Sequence, residues 1–94
     1  MIRSFADRET ALIWSGRQSR RLPPDIQLIA LRKLRLLNQS RLLSDLRVPP
    51  ANRLEALKGN RAGQHSIRIN DQWRICFVWH EGGSADVQII DYHG

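Results

Sequence analysis

Apolar residues recur at helical spacing through the first half of the chain and alternate with polar ones through the second. The opening MIRSF alternates at Ile2 and, less regularly, Phe5, and predicts a short first strand. Asp7 is placed to cap a short helix carrying Ala11, Leu12 and Trp14, with Gly16 as its stop. After the basic linker RQSRRLPPD, Pro23 and Pro24 can begin a helix but not lie inside one. Over residues 25–39, Ile26, Ile29, Ala30, Leu34 and Leu37 form one stripe, while Leu28 and Leu31 fall off it and offer a second contact surface. A short helical piece with Leu42, Leu43 and Leu46 ends at Pro49 and Pro50. RLEALKG predicts a strand stopped by Gly59, and NRAGQ a loop. Strands are predicted over 65–69 and 73–79, then a Gly-Gly loop, then a last strand over about 85–92. Consecutive strands on short connections pair antiparallel, and amphipathic helices cover one of their faces. The expectation is an α+β fold in one domain over 1–94: a small antiparallel sheet of four or so strands, with two N-terminal helices packed on one side.

Alternation also fixes where the charges point. The apolar sets Ile67, Ile69 and Trp73, Ile75, Phe77, Trp79 share a face only if the hairpin loop holds an odd number of residues. Asn70, Asp71 and Gln72 make such a loop, which sets Ile67 opposite Ile75 and Arg68 opposite Arg74. Carrying the rule on, Val87 and Ile89 join Trp79 and Phe77, and Tyr92 falls opposite Arg74. One row of the outer face then reads Arg68, Arg74, Tyr92, beside Cys76, Val78 and Ile90. Two arginines face to face repel, and no acidic residue of these strands is expected between them.

Composition sharpens this picture. The chain has a formal charge of +6, with thirteen arginines against two lysines, Lys33 and Lys58. Guanidinium groups present a planar fork that matches phosphate oxygens, so the balance favours an anionic partner, most simply nucleic acid. A genome rich in G and C also favours arginine codons, but that does not account for the net charge. Cys76 is a lone cysteine, MIRSFADRE has charges where a leader's apolar core would begin, and no apolar run approaches a membrane span. These features lead to the expectation of a cytoplasmic protein without membrane contact.

The string LKGNRAGQHSIRINDQWRICFVW, followed by a terminal DYH and preceded by the opening MIRSF, resembles the HigB-type toxins of the RelE/ParE superfamily, the killer proteins of toxin–antitoxin modules. The resemblance lies chiefly over residues 57–93. It implies a RelE-like α+β fold and cleavage of mRNA in the A site of the ribosome. It also implies a helix-turn-helix antitoxin of the HigA type as partner, with DNA contacted only through the antitoxin complex. Carried over by motif, Lys58 and Arg74 are the phosphate-binding cations, Arg61 and Arg68 extend the RNA-binding set, and Asp91, Tyr92 and His93 form the catalytic cluster with Lys58 and Arg74. The chain departs from the pattern in one place. Some members carry a histidine shortly before the LKG lysine, where NRLEALKG has Glu55, so the identity of the general base stays open.

RNA can be cut without metal because its 2′-OH attacks the adjacent phosphate. The site must take that proton, stabilise the phosphorane and protonate the leaving oxygen. Arginine and lysine serve the second need, and an imidazole such as that of His93 titrates near neutrality and serves the first or third. Tyr92 is also suited to stacking on an unpaired base. His65, His80 and Cys76 share no ligand spacing, so neither metal nor cofactor is expected. The competing readings are a DNA-binding module, for which SRRLPPDIQLIALRKL lacks the paired short helices, and a ParE-like inhibitor of DNA gyrase, whose relatives usually lack the DYH ending. An antitoxin has two candidate surfaces, around Leu28 and Leu31 or along the basic linker.

Overall fold

The computed structural model describes residues 1–92; His93 and Gly94 lie outside it. Helix α1 spans Arg8–Trp14 and α2 spans Pro24–Gln39. Four strands follow: β1 (Glu55–Ala56), β2 (His65–Arg68), β3 (Trp73–His80) and β4 (Gly83–Asp91), in an antiparallel sheet of order β1-β2-β3-β4. The α+β expectation holds, and its helix ends fall where local chemistry places them. The Asp7 carboxylate accepts from the Thr10 amide at 2.7 Å, and Gly16 takes the left-handed conformation (φ 85°) that ends α1.

Both helices lie on one face of the sheet. Ile26, Ala30, Leu34 and Leu37 of α2 and Ile13 of α1 are buried against Ile67, Ile75, Phe77, Val87 and Ile89. The stripe read from the sequence is therefore correct but for Ile29, which is 38% exposed, and α1 buries Ile13 and Thr10, with Trp14 packed partly against the core. The buried Thr10 hydroxyl oxygen accepts from the Ile89 amide at 2.9 Å, which ties α1 to β4. Leu28 stays 60% exposed, while Leu31 packs partly on the core. Both line an open groove of about 320 Å³ with Ile13, Arg17 and Gln27.

Three sequence expectations change. The first strand is reduced to two isolated bridges, Ile2 with Ser84 and Phe5 with Val87, and they run parallel to β4. Its close approach needs Gly83, where a Cβ would stand 2.9 Å from the Met1 carbonyl oxygen. The strand predicted from RLEALKG shrinks to two residues, because Gly59 (φ 63°) starts a 3₁₀ turn over Gly59–Arg61. The register of the last strand also differs, as described below.

Between α2 and β1 the chain runs through a 3₁₀ turn over Leu43–Arg47, whose Leu46 reaches the core. Asp45 holds this turn: one carboxylate oxygen accepts from the Arg41 and Leu42 amides, each at 3.0 Å. Those bonds, Leu42's first and then Arg41's, pull the Asp45 pKa below the ordinary carboxylate value. A carboxyl depressed in the folded state stabilises the fold above its unfolded pKa and loses that contribution as pH falls through the folded one. Asp45→Asn should therefore melt below the wild type at neutral pH, and the gap should close as pH falls below about 4. Melting curves across that range check the expectation; a gap independent of pH would contradict it.

Candidate functional site

The sheet face away from the helices carries Ser66 and Arg68 from β2, Arg74, Cys76 and Val78 from β3, and Gln88 and Ile90 from β4. The hairpin register is as the sequence predicts. Ile67 pairs with Ile75 and Arg68 with Arg74, and the loop is held by the Asn70 side-chain oxygen, which accepts from the Gln72 and Trp73 amides at 2.9 and 2.8 Å. Each of the two opposed arginines has a carboxylate in its neighbourhood. Arg68 pairs with Asp71 of the loop, and Arg74 lies 3.9 Å from Glu55 of β1. Neither carboxylate comes from the strands of the row itself, as expected: one comes from the turn and the other from the neighbouring short strand.

Arg74 is the best-held cation. Its side chain is only 12% exposed, and its guanidinium donates to the Ser66 hydroxyl at 2.7 Å and to the Arg53 carbonyl at 3.3 Å. Arg53 presents that carbonyl from a left-handed conformation (φ 45°), which ends the preceding turn, Pro50–Asn52. One terminal nitrogen of the guanidinium thus has a side-chain and a main-chain acceptor, which orient the group, while the other lies towards Glu55.

Tyr92 does not sit opposite Arg74, as alternation suggested; Ile90 does, and Trp73 faces Asp91. The reason lies at the other end of the hairpin. His80 pairs with Gly83 across a tight Glu81–Gly82 turn, with Gly82 at φ 69°, so β4 begins two residues earlier than predicted. That turn alone would put Ile89's parity on the arginine face. A bulge corrects it: Cys76 pairs with Gln88 but Val78 with Ala85, leaving Asp86 (φ 52°) and Val87 opposite the single residue Phe77. The shift of one residue returns Val87 and Ile89 to the core and sends Ile90 and Tyr92 to the arginine side. Tyr92 then reaches Arg74 diagonally, with the guanidinium carbon 5.6 Å from the ring centroid, within cation–π range. The shared face survives although the direct pairing does not.

The remaining predicted residues distribute as follows. Arg61 lies half-buried over the same face and donates to Gln64 at 3.1 Å and Gln88 at 3.4 Å. Lys58 is exposed at the start of the turn that carries Arg61, which the Leu57 amide bond to the Gln64 carbonyl (2.9 Å) anchors. Asp91 belongs to the opposite side of β4, where it accepts from the Gln72 side chain at 3.0 Å; the Gln72 carbonyl in turn accepts from the Tyr92 amide at 2.7 Å. Asp91 thus fixes the strand end from which Tyr92 projects rather than facing Arg74 itself. His93 lies outside the described residues.

Two groups near these arginines have displaced pKa values, chiefly through burial. Lys33 of α2 donates to the side chain of the buried Asn52, and burial, then the positive charge of Arg68, pushes its pKa down. Cys76 is buried, and desolvation raises its thiol pKa against the opposing pull of Arg61 and Arg74, so it behaves as a small apolar residue. Among the described residues no group of three or more His, Cys, Asp or Glu is gathered as a metal site. In the sequence Glu55 stands out only through the departure from the family pattern noted above; its place beside Arg74 comes from the structure.

Comparison with known proteins bears on this arrangement. The chain is 44% identical over 66 residues to toxin HigB-1 of Vibrio cholerae, covering 70% of each sequence. It is 33% identical over 73 residues to an uncharacterized protein of Haemophilus influenzae, covering 78% of this chain and 71% of that one. Its fold is similar to that of YafQ from Escherichia coli, with a TM-score of 0.57 over 97% of this chain and 93% of that one, at 13% identity. A model of the family described as the RelE-like toxin HigB of type II toxin–antitoxin systems matches residues 3–93. With that match spanning nearly the whole chain, the protein belongs to the HigB-like toxins.

Proposed function

We propose that the protein is an mRNA endoribonuclease that acts on the translating ribosome, and hence in the cytoplasm, and is restrained by a helix-turn-helix antitoxin of the HigA type. The observation that carries this reading is the convergence of Arg61, Arg68, Arg74 and Tyr92 on one sheet face, with Arg74 held by Ser66 and Arg53 before RNA arrives. Fixed guanidinium groups stabilise charge as it develops on a phosphorane, because little reorganisation is left for the reaction step. A tyrosine ring against the same cation offers a surface on which an unpaired base stacks. In this reading Lys58 and Arg74 hold the scissile phosphate, Arg61 and Arg68 hold its neighbours, Asp91 keeps the strand end in place, and Tyr92 with His93 supplies the proton for the leaving oxygen.

The test is primer extension on an mRNA in a purified translation system, with a ribosome-free control. Expected are cuts in phase with codons that require the ribosome. Arrested translation or growth without RNA cuts would overturn the proposal and bring gyrase inhibition forward.

A further inference from the structure

We infer that Glu55 is the general base of the cleavage reaction, taking the proton from the attacking 2′-OH. This inference rests on the ribonuclease reading above. Of the acidic residues on the four strands, Glu55 has its register partner, Ser66, on the cationic face; Asp91 is in register with Trp73 on the helix side, and Asp86 sits in the bulge. Ser66 is also the hydroxyl that Arg74 grips at 2.7 Å, so the carboxylate and the guanidinium flank one point of the sheet.

A carboxylate here opposes binding. It repels the phosphate that Arg74 is placed to attract, and like charges brought together weaken an interface. Its role as a counter-ion for Arg74 is also slight. At 3.9 Å the pair is longer than the 2.7–2.9 Å typical of a charge-assisted hydrogen bond, and Arg74 already has closer partners in Ser66 and Arg53. The Glu55 side chain is 45% exposed, which leaves its oxygens open to a ligand. The charged and titratable groups around it include Arg74 of β3, Arg47 and His65, which line the same cavity as Glu55, and Cys76, on which Glu55, Arg61 and Arg74 all act. A phosphate on the Arg74 fork lies within a few ångströms of the carboxylate, and the 2′-OH adjoins that phosphate along the RNA strand.

The step balances without a further reactant. Glu55 accepts the 2′-OH proton as O2′ bonds to phosphorus; the P–O5′ bond breaks, and O5′ takes a proton from Tyr92, which regains one from solvent. The products are a 2′,3′-cyclic phosphate and a free 5′-OH, with the Glu55 proton returned to solvent.

The experiment measures single-turnover cleavage on ribosomes holding a defined mRNA, beside toxin–ribosome binding by co-sedimentation. Wild type, Glu55→Gln and Glu55→His are compared from pH 6 to 8. Glu55→Gln is expected to cut about 10²–10⁴-fold more slowly while binding as tightly or more tightly. Glu55→His is expected to recover part of the rate, with an acid limb near pH 6.5 that follows the introduced imidazole. Cleavage by Glu55→Gln within about threefold of wild type overturns the role, as does a loss of binding that matches the loss of rate. A wild type that makes no cut overturns the ribonuclease reading and this role with it, an outcome distinct from a wild type that cuts beside an unimpaired Glu55→Gln.

Discussion

Replacing Arg74 with alanine is expected to slow ribosome-dependent mRNA cleavage by about 10²–10³-fold, the usual cost of removing one preorganised group that meets transition-state charge. The expectation follows from how firmly the side chain is held. The side chain is 12% exposed, and its guanidinium is bonded to Ser66 and Arg53, near Glu55, and faced by the Tyr92 ring at 5.6 Å. A group so constrained contributes most when the charge opposite it increases during the reaction. The substitution also strands the buried Ser66 hydroxyl, which costs about 1–3 kcal/mol of stability. Rates should therefore be taken well below the melting temperature, and Arg74→Lys compared. Lysine keeps the charge but cannot donate to Ser66, Arg53 and a phosphate from one plane, so an intermediate rate is expected. An Arg74→Ala protein that cuts at the wild-type rate would remove the cationic face from the mechanism.

Much of this site is legible in the sequence because the β2–β3 hairpin has a three-residue loop. Its odd length fixes the parity of the pairing, so Ile67 must face Ile75 and Arg68 must face Arg74, as they do. The α2 stripe and the Asp7 cap are legible for the same kind of reason: each rests on a local period or a single side-chain bond. The β4 register is not local. It depends on the tight Glu81–Gly82 turn and on the bulge at Asp86, and two changes of parity in one hairpin cannot be read from alternation. The bulge also lies where the N-terminal segment docks, since the Val87 amide donates to the Ser4 carbonyl and the Asp86 amide to the Ser4 hydroxyl. One of its supports thus lies some eighty residues away in the chain. The carboxylates of the arginine row were hidden differently. Asp71 sits in a turn and Glu55 on a two-residue strand, positions to which strand periodicity assigns no face.

Phe77→Ala is expected to be the most destabilising single change, at about 3–5 kcal/mol. Against a total stability of about 5–15 kcal/mol for a small domain, that is a large share. Phe77 is fully buried in the middle of β3, stacked on His65 with centroids 6.3 Å apart and meeting Trp79 edge-on at 6.5 Å. It is also the residue spanned by the β4 bulge, so its ring fills the core side where the ladder is interrupted. Each kcal/mol lowers the melting temperature of a domain this size by about 4–8 °C, so a fall of more than about 10 °C is expected in thermal unfolding. Phe77→Leu, which keeps most of the volume, should fall much less. Function should follow the same order. Arg74 and Cys76 project from the strand that Phe77 anchors, and the bulge opposite Phe77 sets the parity that aims Tyr92 at Arg74. Cleavage by Phe77→Ala should therefore fail at temperatures where Arg74→Ala is still folded. An alanine variant that melts within a few degrees of wild type would show that the bulge and the register of β4 are held by the N-terminal segment rather than by this ring.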